Sequence, residues 1–193
     1  MARAITPSAP DGVFQARLAD GIVYLDLEAD TYSFDYETGP AGGSDAPEPA
    51  APVWQDLPHA ASSRPSLASV LRFLVALAAT LLFFGTTSLA RQVALARRRH
   101  VGRHADAALY GQVLARFEHL CLYLPFRIQC LFRAQFLLRF LAAHGLAADW
   151  IFGVSAFPFE AHCWVAADTV LLGERRERIA CFAPILVVEP TRI

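Results

Sequence analysis

Cys130 and His162 are the two residues whose types and surroundings could support nucleophilic chemistry. A nucleophilic cysteine needs a lowered pKa and a base within hydrogen-bond reach. Cys130 begins a long predicted helix, where backbone N–H groups and the helix dipole favour a thiolate. We expect the strand that holds His162 to lie against this helix, so the pair could serve as nucleophile and general base. Spacing alone also allows a plainer interpretation, in which both are ordinary core residues.

Cys163 follows His162 directly, but strand geometry separates their side chains. Residues two apart share a face of a strand, so His162 lies with Trp164, and Cys163 points to the opposite face. We expect Cys163 to be a buried structural thiol. The other cysteines, Cys121 and Cys181, show no paired spacing such as C-x-x-C, so no metal site is predicted.

A carboxylate that accepts a hydrogen bond from the imidazole would fix the orientation of His162. If the strands fold back through a three-residue loop at 167–169, His162 pairs with Glu174, with Cβ atoms about 5 Å apart. A two-residue loop would instead pair it with Arg175. Asp168 lies at the turn, roughly 20 Å from His162, which is too far for an orienting contact.

The C-terminal part reads as helices followed by strands, so the predicted fold class is α+β. Helical spacing of apolar residues, ended by Gly145, predicts a helix from Cys130 to His144. Period-two patterns after it predict strands. The predicted elements are helices over 67–99, 107–120 and 130–144, and strands over 149–154, 161–167, 170–172 and 184–188.

The N-terminal part differs from the rest in pattern, which indicates two modules. Alternating apolar residues over 21–28 and 31–36 predict a β-hairpin. Residues 39–66, rich in Pro, Gly, Ala and Ser, predict a linker. The predicted domains are a β-rich module over 1–38, the linker over 39–66 and a larger domain over 67–193.

The stretch from Phe73 to Ala90 is apolar and carries no charge. By length it could cross a membrane, but Gly85-Thr-Thr-Ser88 interrupts its apolar character near the end. We favour a buried helix in a soluble core over a membrane span. Met1 to Gly12 lacks the pattern of an export signal, so we expect a cytoplasmic protein with reduced thiols.

Charge is distributed unevenly along the chain. Residues 1–60 hold ten acidic side chains, whereas residues 61–104 hold seven arginines and no acid. No aromatic-interleaved basic motif accompanies the arginines near residue 98, so we do not expect a nucleic-acid partner. Every basic residue is Arg and none is Lys. This excludes a lysine Schiff base and a phosphate loop ending in Gly-Lys-Ser/Thr, so any coupling to ATP must come from a partner.

Several short motifs in the C-terminal part resemble those of one known family. They are Cys130-Leu-Phe-Arg-Ala, His144-Gly145-Leu146 at a helix end, Phe152-Gly-Val154, Phe159-Glu-Ala-His162-x-Trp164-Val165 and Ala183-Pro-Ile-Leu-Val187. The interval between the cysteine and the histidine agrees as well. In these motifs the chain resembles the lasso-peptide leader peptidases, the B proteins of the microcin-processing family.

The resemblance implies a fold, a reaction and roles for three residues. The fold is a transglutaminase-like, papain-like cysteine peptidase domain with helices packed on an antiparallel sheet. Cys130 matches the family's nucleophile and His162 its general base. The family's third residue is usually aspartate, and the matching position here is Glu174. The reaction is removal of the leader from a lasso-peptide precursor before an ATP-dependent, asparagine-synthetase-like cyclase forms the macrolactam. No metal or cofactor is implied for this chain.

The strands from Gly21 to Phe34 look like the start of the leader-recognition module that is fused to the peptidase in some members of the family. In such modules the leader adds as a strand to an open sheet edge. The predicted substrate-binding residues are Tyr24, Tyr32, Phe34 and Trp164. The helical half of such a module is not evident in residues 39–66.

Two functions of other classes stay open. A transglutaminase-like amidase or acyltransferase would use the same Cys130 and His162 on another substrate. A non-catalytic, membrane-associated scaffold would leave Cys130 merely buried.

Overall fold

The computed structural model describes residues 12–18, 20–36, 52–58, 65–99 and 102–190. Its N-terminal part is a three-stranded antiparallel sheet of β1 (Val13–Leu18), β2 (Gly21–Asp26) and β3 (Thr31–Tyr36), with β2 in the middle. Val23 and Leu25 of β2 are buried and pair with Phe34 and Tyr32 of β3. The predicted hairpin is confirmed, because the alternating apolar residues of both strands share one face.

Four long helices follow, namely α1 (Leu67–Phe84), α2 (Leu89–Arg99), α3 (Ala107–Cys121) and α4 (Cys130–Ala143). Ser66 caps α1, since its hydroxyl accepts a hydrogen bond from the backbone N–H of Ser69 at 3.2 Å. Asp106 caps α3 in the same way, through the N–H of Leu109 at 2.8 Å. The bounds predicted for α3 and α4 agree with the observed ones to within one residue.

Residues 67–99 form two helices that are separated at 85–88. The prediction of a helix buried in a soluble core is wrong for α1. Its buried residues are Ser69, Phe73, Ala76 and Thr80, because only one face of the helix packs against α3 and α4. Judged by length and composition alone, α1 is long and apolar enough to cross a membrane.

Five strands form a second sheet in the order β4-β7-β6-β5-β8. They are β4 (Gln55–Asp56), β5 (Asp149–Ser155), β6 (Glu160–Ala167), β7 (Val170–Leu171) and β8 (Ala183–Val188). Only β4 runs parallel to its neighbour in this sheet. β4 lies within residues 39–66, so this part of the predicted linker is a strand of the larger sheet. The strands predicted after residue 149 are confirmed, and a short helix α5 (Arg176–Ile179), which was not predicted, separates β7 from β8.

Helix α4 is the centre of the larger unit. Its Phe136 is fully buried, with ring centroids 4.7 Å from Phe73 of α1 and 4.9 Å from Phe117 of α3. The opposite side of α4 packs against β6. This packing holds the first residue of α4, Cys130, close to the beginning of β6, where His162 lies. The predicted α+β class is confirmed, and the domain bounds stay predictions.

Candidate active site

Cys130 is the first residue of α4, and its side chain is half-buried. The preceding residue, Gln129, has extended backbone angles and makes no side-chain hydrogen bond that caps the helix. The N–H groups of the first helical turn are therefore left to act on a charge at this end of α4. Both these groups and the helix dipole favour the thiolate form of Cys130.

His162 lies near the beginning of β6 and pairs with Gly153 of β5. Its ring packs against two aromatic neighbours, with centroids 6.1 Å from Trp164 and 5.4 Å from Phe182. Gly153 makes room for this arrangement, since a Cβ there would lie 2.6 Å from the Trp164 ring. The aromatic neighbours thus restrict the orientation of the imidazole.

Glu174 accepts a hydrogen bond from His162, with 2.9 Å between Nε2 and Oε2. The cross-strand register that was expected to bring them together is wrong. Ala166 pairs with Leu171, as a two-residue hairpin loop requires, and β7 ends there. The chain then turns at Gly173, whose φ of 76° is suited to glycine, and this turn brings Glu174 back to the imidazole.

Arg133 of α4 fixes the turn that carries Glu174. Its guanidinium donates a hydrogen bond to the carbonyl of Gly173 at 3.2 Å and forms an ion pair with Glu118 of α3 at 3.2 Å. A Cβ at position 173 would lie 2.9 Å from this guanidinium, so glycine also permits the close approach. The helix that holds the thiol therefore also positions the carboxylate.

The pKa values of Cys130 and His162 move in opposite directions. Hydrogen bonds from Cys163 and then His162 lower the pKa of Cys130 to about 4. Hydrogen bonds to Cys130 and then Glu174 raise the pKa of His162 to about 9. Because Nε2 of His162 faces Glu174, Nδ1 is the nitrogen left for the thiol. Between these two pKa values the pair is a thiolate and an imidazolium.

Glu174 is ionised in this arrangement. Burial raises its pKa, but the hydrogen bond from His162 and the nearby Arg178 outweigh burial, so the net pKa is lowered. The guanidinium of Arg178 lies 3.9 Å from the other carboxylate oxygen. A charged Glu174 stabilises the imidazolium and fixes the tautomer of the ring.

Cys163 contributes more than the structural thiol that the sequence predicted. It is buried, with 5 % of its surface exposed, on the face of β6 that packs against α4. The hydrogen bond to Cys130, followed by burial, raises the pKa of Cys163 well above its usual range. Cys163 therefore stays protonated and donates its S–H to the Cys130 thiolate. The alternation along β6 already pointed Cys163 toward α4, but the depth of that contact depends on tertiary packing.

We expect Cys163→Ala to raise the pKa of Cys130 by about one unit, because a hydrogen bond to a charged group contributes roughly 1.5 kcal/mol or more. The pH dependence of iodoacetamide labelling measures this pKa on the tryptic peptide 128–133, in which Cys130 is the sole cysteine. Cys163→Ser keeps a donor and should hold the pKa near about 4. An unchanged pKa in Cys163→Ala would remove the donor role of Cys163.

The side chains of Cys130, His162 and Glu174 line one pocket of about 260 Å³. Ile128 and Leu172 add apolar walls, and Arg178 adds a cation. A second groove of about 630 Å³ adjoins the pocket, since both are lined by Glu174 and Arg178. The pocket that holds the thiol is thus continuous with a larger groove. In the described part of the chain, no group of three His, Cys, Asp or Glu side chains could hold a metal ion.

The four predicted substrate-binding residues do not form one surface. Tyr32 and Phe34 pack on the β5–β6 hairpin, with ring centroids 5.5 Å from Phe159 and 5.9 Å from Phe157. Tyr24 is on the opposite face of the small sheet, because it pairs with Ser33 between them. Trp164 is 2 % exposed, and its ring stacks with the ring of His162. Tyr32 and Phe34 therefore connect the small sheet to the hairpin that leads to His162.

Comparison with known proteins agrees with this geometry at the level of a superfamily. The sequence model of the transglutaminase-like superfamily matches residues 72–187, which is more than half of the chain. No curated protein and no solved structure matches the chain significantly. Members of the superfamily are usually cysteine-dependent enzymes. The chain belongs to the transglutaminase-like superfamily.

Proposed function

We propose that the chain is a cysteine peptidase that removes the leader from a ribosomally made peptide, with a lasso-peptide precursor as its substrate. The observation that carries the proposal is the arrangement of Cys130, His162 and Glu174 around one pocket. Membership of a superfamily with cysteine-dependent enzymes supports the chemistry. The motif resemblance around Cys130 and His162 supports the substrate.

The proposed reaction is amide hydrolysis through a thioester. The Cys130 thiolate attacks the scissile carbonyl, and backbone N–H groups at the start of α4 stabilise the oxyanion. The His162 imidazolium then gives its proton to the departing amine of the core peptide. The neutral imidazole takes a proton from water, whose oxygen attacks the thioester. The leader leaves as a free acid, and Cys130 returns to the thiolate.

The small N-terminal sheet is the proposed site for the leader. β3 pairs with β2 alone among the described strands, so its outer edge offers N–H and C=O groups to an added strand. Tyr32 of this strand contacts Phe159, three residues before His162. A leader bound along β3 would therefore lie beside the hairpin that carries the general base.

The amine that is released on the core peptide is the expected substrate of a macrolactam-forming, ATP-dependent cyclase. That cyclase is the proposed partner, since the chain itself has no lysine for a phosphate loop. The reaction would take place in the cytoplasm, where the precursor is made and the thiols stay reduced.

Incubating the full chain with a candidate lasso-peptide precursor tests the proposal, with and without a candidate ATP-dependent cyclase. Mass spectrometry should find the leader as a free acid. An acyltransferase would instead transfer the leader to an added amine such as hydroxylamine. Without the added amine it would release no measurable leader acid. A precursor that stays intact in both the presence and the absence of the cyclase would reject the proposed substrate.

We expect Glu174→Gln to lower kcat/KM by about 10- to 100-fold, because a hydrogen bond between charged groups contributes about 1.5–3 kcal/mol. The loss of this charge should also lower the pKa of His162 from about 9, so the alkaline limb of the pH profile moves down. Glu189→Gln, at an exposed position after β8, is the matched control and should keep the rate of the unmodified protein. An unchanged rate in Glu174→Gln would assign the orienting role to another group.

A further inference from the structure

The outer face of α1 is apolar although it is exposed. It consists of six large side chains that are 52–90 % exposed: Leu67, Leu71, Leu74, Val75, Leu81 and Leu82. With about 100° between successive residues of a helix, these side chains span an arc of roughly 120°. The buried residues Phe73, Ala76 and Thr80 lie on the opposite side. The helix is thus apolar on both sides, and protein covers only one of them.

A surface helix of a soluble protein normally carries polar residues toward water. A contiguous apolar patch of this kind marks a surface that binds a partner or a membrane. A second group of exposed apolar side chains, Leu122 and Tyr123, follows α3. Phe126 is also exposed, and the ring of Phe132 lies between it and the end of α1, with centroids 6.1 Å from Phe126 and 5.2 Å from Phe84.

The charge of the segment that contains α1 and α2 favours one kind of partner for the outer face. Residues 61–104 contain seven arginines and no acid. Arg72 is exposed on α1, and Arg91 and Arg98 are exposed on α2. This combination of an apolar face and exposed cations on the same two helices complements a surface with acyl chains beneath anionic headgroups.

We propose that the outer face of α1 docks on the surface of an anionic lipid bilayer. The helix lies in the plane of the interface, with its leucines among the acyl chains and the nearby arginines at the phosphate groups. It does not span the bilayer, because its inner face packs against α3 and α4. The proposal is independent of the proposed peptidase reaction.

A second copy of the chain fits this surface less well. The apolar arc is wider than the seam of a two-stranded coiled coil, which uses only two positions in seven. A symmetric contact through α1 would also bring two arginine-rich segments together, and neither segment contains an acid. Self-association is therefore an outcome that the experiment must detect.

Flotation of the full chain with vesicles tests the proposal. Vesicles of phosphatidylcholine mixed with phosphatidylglycerol should carry the protein upward, whereas pure phosphatidylcholine vesicles should carry much less. Leu74→Glu and Leu82→Glu should each lower the partition coefficient by about tenfold or more, since each places a charge among acyl chains. Val53→Glu, at a residue that is 80 % exposed outside α1, is the matched control and should bind normally. Arg91→Ala with Arg98→Ala should weaken binding and reduce its sensitivity to salt.

Three results would overturn the proposal. One is a chain that floats with neither kind of vesicle. This result overturns the proposal if the chain is a monomer, and equally if sedimentation analysis finds a dimer that Leu74→Glu dissociates. Another is equal binding to neutral and anionic vesicles. The third is retention on membranes after alkaline carbonate extraction, which would indicate a spanning helix. The substituted side chains point away from the core, so we expect each variant to fold. Circular dichroism checks that the fold is intact.

Discussion

Cys130→Ala should lower the rate of precursor cleavage by about 10⁶-fold, because the nucleophile acts as a unit with its base. Alanine removes the sulfur that forms the thioester, and neither Cys163 nor Cys121 can replace it. Cys181 does not line the active-site pocket. Cys163 is buried with a raised pKa, and Cys121 has a pKa raised to about 11 by burial. The initial rate of leader release, measured by mass spectrometry, gives the loss.

Cys121→Ala is the matched control for this experiment. It removes a half-buried thiol at the end of α3, outside the residues that line the active-site pocket. We expect its rate to remain within a few fold of the unmodified protein. Leader release by Cys130→Ala at the rate of Cys121→Ala would show that the chemistry lies elsewhere.

His162→Ala should lower kcat/KM by about 10³-fold, because general acid and base catalysis contributes roughly 10²- to 10⁴-fold. Its effect on the pH profile is more specific. In the unmodified chain, activity should fall below about pH 4 as Cys130 is protonated and above about pH 9 as His162 loses its proton. Without His162 the pKa of Cys130 should rise toward its ordinary value, so the acid limb moves to higher pH.

His104→Ala serves as the control, since this imidazole contacts Asp168 at the β6–β7 turn, 3.7 Å away, and not the thiol. Its pH profile should match that of the unmodified chain. If the acid limb of His162→Ala stayed near about pH 4, the low pKa of Cys130 would have to come from Cys163 and the helix terminus alone.

Much of this fold can be predicted from local patterns, because they depend on residues that are neighbours in the sequence. The ends of α4 follow from its apolar spacing and from Gly145, and β6 follows from the change to a period-two pattern after that helix. Helix and strand patterns also predict that Cys130 and His162 lie close together. Glu174 does contact His162, but the hairpin register from which it was predicted is not the observed one. The catalytic roles of the three residues stay predictions.

Long-range geometry accounts for what the sequence does not predict. The route by which Glu174 reaches His162 depends on the positive φ of Gly173 and on the anchoring of that turn by Arg133. The two-residue strand β4 gains its place only from its parallel pairing with β7. Apolar composition likewise cannot distinguish the buried face of α1 from its exposed one, since leucines occur on the exposed face and phenylalanine on the buried one.

Labelling with a leader peptide that ends in a chloromethyl ketone, in place of the scissile amide, tests most directly whether Cys130 is the nucleophile of a leader peptidase. The thiolate displaces chloride and forms a stable thioether. We predict one leader per chain, attached to the tryptic peptide 128–133, with complete loss of precursor cleavage. Attachment to a different peptide, or an unlabelled chain that still cleaves its precursor, would contradict the proposed mechanism.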